Sequence, residues 1–416
     1  MGILRYELEK IFKSKILWVL VGIFVISNIS VIVRDSYNKN DLKILNNIID
    51  TVGMELDNNG EKRLEDYYKM ERSKVDELIY SKTGKKKIEL DEFYSGKVNR
   101  SLFSNDELEK IYEVNVLEVY YVTFKNGIER YSNINVVDKA KENLKRLSSA
   151  SEKSKERYIN AFEKFNERLN EIRATDENRG FHINGGYFMH KMLFNDTLKK
   201  IGVQGVIIIL MLTAFIYNYE FENKTSYLVY STKEGRRDKN KLKASLIGGG
   251  VFLTIILVVT LGIFFIIYDY SRVFNSLINS VFNWESIYPQ LSWINVTVRE
   301  FLMINIGLIY AIGTMIIFII SYISKITKNT YITFFIGVII YGGLYLLPDI
   351  LNKSLILQGI STYNPIMILE GISFSFSMFS TVFPNKYFEV ITIITWSIFI
   401  YIGYGISDRR FKREDI

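Results

Sequence analysis

The chain has no cysteine, only two histidines and four prolines among its 416 residues. Without cysteine there are no disulfides, no thiolate chemistry and no Cys-ligated zinc, so any part outside a membrane is held by packing alone. His182 and His190 are separated by Gly185-Gly186, which breaks the helix that would place them on one face, so no metal site is expected. No G-x-x-x-x-G-K-S/T phosphate loop occurs; Gly84-Lys85 and Gly96-Lys97 lack the upstream glycine and the following hydroxyl. H-E-x-x-H and G-x-S-x-G are absent too. The acids Asp269, Glu285, Glu300, Asp349 and Glu370 are too scattered for a lipid- or glycan-modifying site. The chain is therefore expected to be non-catalytic and to bind no cofactor itself. Few prolines beside abundant Asn, Lys, Ile and Tyr fit an AT-rich bacterial genome.

Charge is also missing where it matters most. Residues 16–33, 201–219, 244–268, 301–323, 330–347 and 390–407 contain no Asp, Glu, Lys, Arg or His. Glu220 and Glu389 lie just outside them. An α-helix needs roughly 17–25 apolar residues to cross about 30 Å of hydrocarbon. In lipid its backbone groups must be paired within the segment. Six transmembrane helices follow. The lack of an intramembrane charge argues against an ion-coupled carrier.

Cations set the orientation. Arg5, Lys10, Lys13 and Lys15 precede the first span, and Lys224, Lys233, Arg236, Arg237, Lys239, Lys241 and Lys243 follow the second. Lys325 and Lys328 follow the fourth, and Arg409, Arg410, Lys412 and Arg413 the sixth. The short opposing loops are poor in cations. Both termini are thus expected in the cytoplasm of a bacterial plasma membrane, with residues 35–199 outside, since long segments translocate regardless of charge. The net charge of +7 is read as orienting the chain and touching anionic headgroups, without nucleic acid.

The expected fold is an all-α polytopic membrane protein. Residues 1–34 form an N-terminal elbow helix and the first transmembrane helix, and 35–199 a large, mainly helical extracellular domain. Residues 200–416 carry transmembrane helices two to six, a cytoplasmic loop at 220–243 and broken outer-leaflet helices at 354–383. In the elbow, Leu4, Leu8, Ile11 and Phe12 recur at helical spacing, so this helix should lie on the membrane surface. In the outer domain, Ser104 and Glu107 form a capping box. Tyr158, Phe162, Phe165, Leu169 and Ile172 step by four and three, the seam of packed helices. Turns are expected at 57–60, 83–87 and 176–180. A β-hairpin is expected at 119–131, turning at Lys125-Asn126-Gly127.

The densest signal outside the spans is the loop 220–237. Glu220 and Glu222 close the second span; Lys224-Thr225 lead into an apolar patch from Tyr227 and Leu228 to Tyr230, followed by Ser231, Gly235, Arg236 and Arg237. A short amphipathic helix here could seat an apolar knob in a groove of a cytosolic partner; an ordinary orienting loop is the alternative. The loop resembles the coupling region of bacterial type-2 ABC exporter permeases. There an acidic residue, a Gly/Lys-Thr pair, a short helix and a Ser/Thr-x-x-Gly-Arg stretch precede a lysine opening the third span, here Lys241. The elbow around Arg5-Tyr6-Glu7-Leu8-Glu9-Lys10 and the six-span layout are also similar to that family.

The resemblance implies a permease subunit paired with a second, identical or homologous copy. It also implies cytosolic ABC ATPase subunits, ATP-Mg being bound by those partners. Glu220, Glu222, Lys224, Thr225, Tyr227, Leu228, Tyr230, Ser231, Arg236 and Arg237 would then transmit motion to the translocation path. The large insert is more like permeases of peptide, antibiotic-resistance or sodium-efflux systems, so a peptide, lipid-like or amphipathic antibiotic substrate is expected. A membrane-anchored sensor or scaffold is the alternative, although six spans exceed what an anchor needs.

Overall fold

A computed structural model describes residues 2–36, 39–85, 88–146, 151–180, 185–232, 238–280, 291–377 and 382–413. A short helix α1 (Ile3–Lys13) precedes α2 (Lys15–Arg34). The insert holds α3 (Lys39–Val52), α4 (Asn58–Thr83), α5 (Leu90–Tyr94), α6 (Asn105–Asn133), α7 (Val136–Arg146) and α8 (Glu152–Ala174). Next, α9 (Gly185–Lys191) runs through a π-helical segment, Met192–Leu198, into α10 (Lys199–Glu222). Short α11 (Ser226–Tyr230) leads to α12 (Lys239–Ile267), α13 (Val298–Thr327) and α14 (Thr330–Ile350). Two short helices, α15 (Leu355–Ser361) and α16 (Pro365–Glu370), precede α17 (Phe388–Arg413). Among the described residues there is no strand, only isolated bridges pairing Leu277 with Thr297 and Ser292 with Ser377.

Six of these helices are long and apolar enough to cross a membrane; five match the predicted spans to within about five residues, whereas the second, Phe188–Glu222, begins well before the expected 201. This fits a multi-pass membrane protein. The second long helix is the hub: 78% of its apolar window is buried, against 17% for α14 and 11% for α17. It packs on α2, α12, α13, α14 and α16. Close approach needs small residues here. A Cβ on Gly202 would stand 2.5 Å from Leu369 Cδ1 of α16. Similarly, a Cβ on Gly248 would stand 2.9 Å from Ile11 Cδ1, so α1 docks on α12 where α12 lacks a side chain.

Three hub helices are also tied by polar groups. Asn28 Nδ2 donates to Gln204 Oε1 and Gln204 Nε2 to Asn28 Oδ1, both at 2.9 Å. Asn28 Nδ2 also reaches Thr260 Oγ1 at 3.2 Å. A buried amide left unpaired costs several kcal/mol in an apolar medium, so this triad fixes α2, α10 and α12 in register.

The insert is not separated from the long helices by a gap in packing. One apolar core runs from Leu45 and Phe165 through Trp293 to Phe301 and Ile209. Polar links cross the same boundary: Tyr131 OH donates to the Asn279 carbonyl at 2.9 Å, and Asn46 Nδ2 to that of Asp269 at 2.8 Å. A smaller cluster of Val75, Ile79, Phe93, Phe103 and Ile111 holds α4, α5 and α6 together. The Ser104–Glu107 capping box is formed, and the predicted seam of α8 is buried throughout. The turn expected at 57–60 is instead the start of α4, where Asp57 caps the helix by accepting from Gly60 N at 2.7 Å. Gly84 ends α4 in the left-handed conformation, φ 69°, and Asp176 is left-handed at φ 54°. Residues 86–87 of the second turn lie outside the described ones.

The expected hairpin at 119–131 is wrong. α6 runs unbroken through it. Val116, Leu117, Tyr120, Phe124 and Tyr131 are all buried on one face, and this helical period outweighs the β-favouring Val and Tyr and the Asn-Gly signal. The expected break near 364 is present: Asn364 Oδ1 accepts from Ile366 N and Met367 N at 3.0 and 3.1 Å, with Pro365 opening α16.

Candidate functional site

At the end of α10 the chain reverses through Lys224, whose φ of +58° is left-handed, and Thr225 N closes the turn on the Glu220 carbonyl at 2.9 Å. α11 follows as little more than one turn, and its apolar residues divide between two directions. Tyr230 points inward, 3% exposed, its ring 5.4 Å from that of Phe221. Tyr227 and Leu228 point outward, 74% and 76% exposed. Of the expected docking residues, these two form the accessible knob. Ser231 beside them is exposed, with Oγ donating to the Leu228 carbonyl at 2.9 Å.

Beneath the knob lies a charge cluster that draws on four parts of the chain. Lys10 Nζ of α1 reaches Glu220 Oε1 at 2.6 Å and Glu7 Oε2 at 3.1 Å. Lys241 Nζ of α12 pairs with Glu220 Oε2 and donates to the Tyr217 carbonyl at 3.4 Å and to Tyr230 OH at 2.8 Å. Glu220 and Glu7 are 2% and 6% exposed. Two anions and two cations balance, which makes burial affordable only while all four remain. Burial raises the Glu7 carboxyl above the usual range against the pull of Lys10. Burial likewise raises the Tyr230 phenol, with Lys241 opposing. Both directions reflect a site shielded from water.

Glu222 faces the other way. Its Oε1 accepts from Thr330 N at 2.8 Å, adding a carboxylate at the start of α14, where the helix dipole favours negative charge. A second charged contact stands where the loop re-enters: Asp238 Oδ2 lies 2.5 Å from Lys325 Nζ of α13 and accepts from Tyr404 OH of α17 at 3.0 Å. The described part of the loop is thus tied to α1, α10, α12, α13, α14 and α17, while Tyr227 and Leu228 stay exposed. Arg236 and Arg237 lie outside the described residues.

The elbow residues are also placed. Ile11 is buried, and Leu4, Leu8 and Phe12 are half-buried. Phe12 and Trp18 rings contact Phe252 at 5.8 and 5.1 Å. The apolar face of α1 therefore sits on α12, and Tyr6 on the opposite side is 66% exposed. Sequence reasoning missed Glu7 and Lys10 as members of the Glu220 cluster; their side-by-side opposite charges were visible, but the partner 210 positions away was not. His190 packs on Phe194 with ring centroids 4.5 Å apart, and His182 lies outside the described residues. No group of three or more metal-ligating acidic or histidine side chains is assembled among the described residues. Compared with family models, curated proteins and solved structures, the chain matches none.

Proposed function

We propose that this chain is the permease subunit of an ATP-driven ABC exporter, with residues 220–243 as the lever on which a separate cytosolic ATPase acts. One observation carries the reading: α11 offers an exposed apolar pair on a base buried in the bundle. An orienting loop needs only cations; it has no use for Tyr227 and Leu228 held out of the body by an anchored Tyr230. Force applied to that knob reaches α1, α10 and α12 through Glu220. For ATP to drive a conformational change, the ATPase must bind the two permease states with different affinity, and a rigid base makes that difference transmissible. The α1 helix would lie at the inner membrane surface, and a second copy would complete the path. The exposed apolar faces of α14 and α17 are available to lipid or to that copy.

Tyr227→Ala with Leu228→Ala tests the lever. Aromatic and aliphatic anchors commonly cost about 2 kcal/mol on truncation, roughly 30-fold in affinity. Pull-down of the co-expressed ATPase should weaken by about that factor while expression and melting stay unchanged, since neither side chain is buried. Wild-type capture by the double variant, with transport intact, sinks the proposal.

Orientation has its own check, clean in a chain without cysteine. Cysteines at the exposed positions Asn126 and Asn275 should react with an impermeant maleimide added to intact cells. One at Thr232 should react only after lysis. Labelling of Thr232 from outside inverts the arrangement and removes the ATPase from reach.

A further inference from the structure

A cleft of about 640 Å³ opens between one face of α8 and the residues leading into α17. Arg157, Lys164 and Arg168 line it from α8. Their spacing of seven and four puts them on one helical face, away from the buried Phe165 seam. Lys386 and Tyr387 form the facing wall, and Trp293 lines the cleft as well. The cleft lies at the Phe388 end of α17, whereas Tyr404 near the other end meets Asp238 of the loop. It is therefore remote from α11.

Two donors in this cleft are unspent. Trp293 is 8% exposed, pinned edge-on by Phe165 at 4.5 Å, and its Nε1 has no hydrogen-bond partner among the described residues. Arg168 is held by Glu177, Nη1 to Oε1 at 3.0 Å and Nη2 to Oε2 at 2.6 Å, yet its Nε has none either. Buried donors normally find an acceptor, and here the space beside them can supply one. Among the described residues Arg157, Lys164 and Lys386 make no ion pair, and the carboxylates on the walls, Glu167 and Glu171, are fewer than the cations. Its volume falls within the range of small-molecule sites, and an apolar body with a few convergent polar groups is their usual make-up.

We propose that this cleft binds an anionic amphiphile. A phosphate or carboxylate would be held by the three unpaired cations and the two orphaned N–H groups, with the apolar part against Trp293 and Tyr387. The Phe388 end of a transmembrane helix places the site where a headgroup and the start of an acyl chain meet. The inference stands on the cleft's own residues and holds whether the chain exports or senses.

The test uses the full chain in neutral detergent. Dihexanoylphosphatidylglycerol, dihexanoylphosphatidylcholine and glycerol phosphate are titrated while tryptophan fluorescence is read, with Trp293→Phe identifying the reporting ring. The anionic lipid should bind about tenfold or more tighter than the zwitterionic one, and glycerol phosphate at least about tenfold weaker than the anionic lipid. Arg157→Gln, Lys164→Gln and Lys386→Gln together should cut affinity for the anionic lipid about tenfold, some 1.4 kcal/mol, without changing the melting temperature, because all three side chains are exposed. Equal binding of the two lipids, or unchanged affinity in the triple variant, overturns the proposal. Glycerol phosphate binding as tightly as the lipid also overturns it, by showing a site for a free anion.

Discussion

Glu220→Ala should be among the most destabilising single changes in the chain. It removes the anion that Lys10 and Lys241 share and leaves Lys241, 6% exposed, without its carboxylate. Breaking a buried pair from one side costs about 3–5 kcal/mol, because the surviving charge keeps its desolvation penalty. Replacing both partners by apolar residues of similar volume is often nearly neutral. Glu220→Leu with Lys241→Met should therefore recover most of the loss, leaving Lys10 paired with Glu7. The measurement is the fraction of monodisperse protein surviving a fixed heating step, for the single and double variants side by side. If the single variant survives as well as the double, the cluster is solvated and Glu220 is an ordinary surface acid. If residues 220–243 act as the proposed lever, the double variant should fold yet transmit poorly, since a methionine and a leucine pack but do not fix the angle of α11 as the Tyr230–Lys241 hydrogen bond does.

How far these features could be read in the sequence follows from the range of each signal. Hydrocarbon excludes charge over a whole span, so the six long helices were legible, five of them to within about five residues; the second begins at Phe188, ahead of its charge-free stretch. The Ser104–Glu107 box and the α8 seam were legible because each is complete within one helix. The hairpin at 119–131 failed because Lys125-Asn126-Gly127 is a three-residue signal set against a helical face that extends from Val116 to Tyr131. The π-helical segment Met192–Leu198 left no trace, since a shift from i+4 to i+5 pairing changes no residue type. In the loop, an acid beside a span and an aromatic patch were visible. That Tyr230 turns inward and Tyr227 outward depends on Lys241 and Phe221, and that Glu220 meets Lys10 depends on how α1 crosses α12 at Gly248. Likewise the seam of α8 was read, but not its basic face, because Lys386 and Trp293 come from elsewhere in the chain.

Phe165→Asp should disorder the insert and reach beyond it. Phe165 is 0% exposed in the core shared by the insert and the long helices, with its ring edge-on to Trp293. Truncating a buried phenylalanine alone costs about 3–5 kcal/mol, and a carboxylate there adds the cost of an unpaired buried charge. Little nearby can neutralise it: Arg168, one turn away, is already committed to Glu177 through both terminal nitrogens. The insert should lose helical signal and become cleavable by trypsin between α3 and α8 at temperatures where the wild type resists. Because Trp293 stands just ahead of α13 and its backbone N–H donates to the Phe376 carbonyl at 2.7 Å, the damage should extend to the segment around α16. Phe165→Leu keeps the site apolar and should cost only about 1–2 kcal/mol, with the trypsin pattern unchanged. A Phe165→Asp protein as resistant to trypsin as Phe165→Leu would mean that α8 can rotate its seam to water, and the single continuous core would have to be abandoned for two bodies that fold apart.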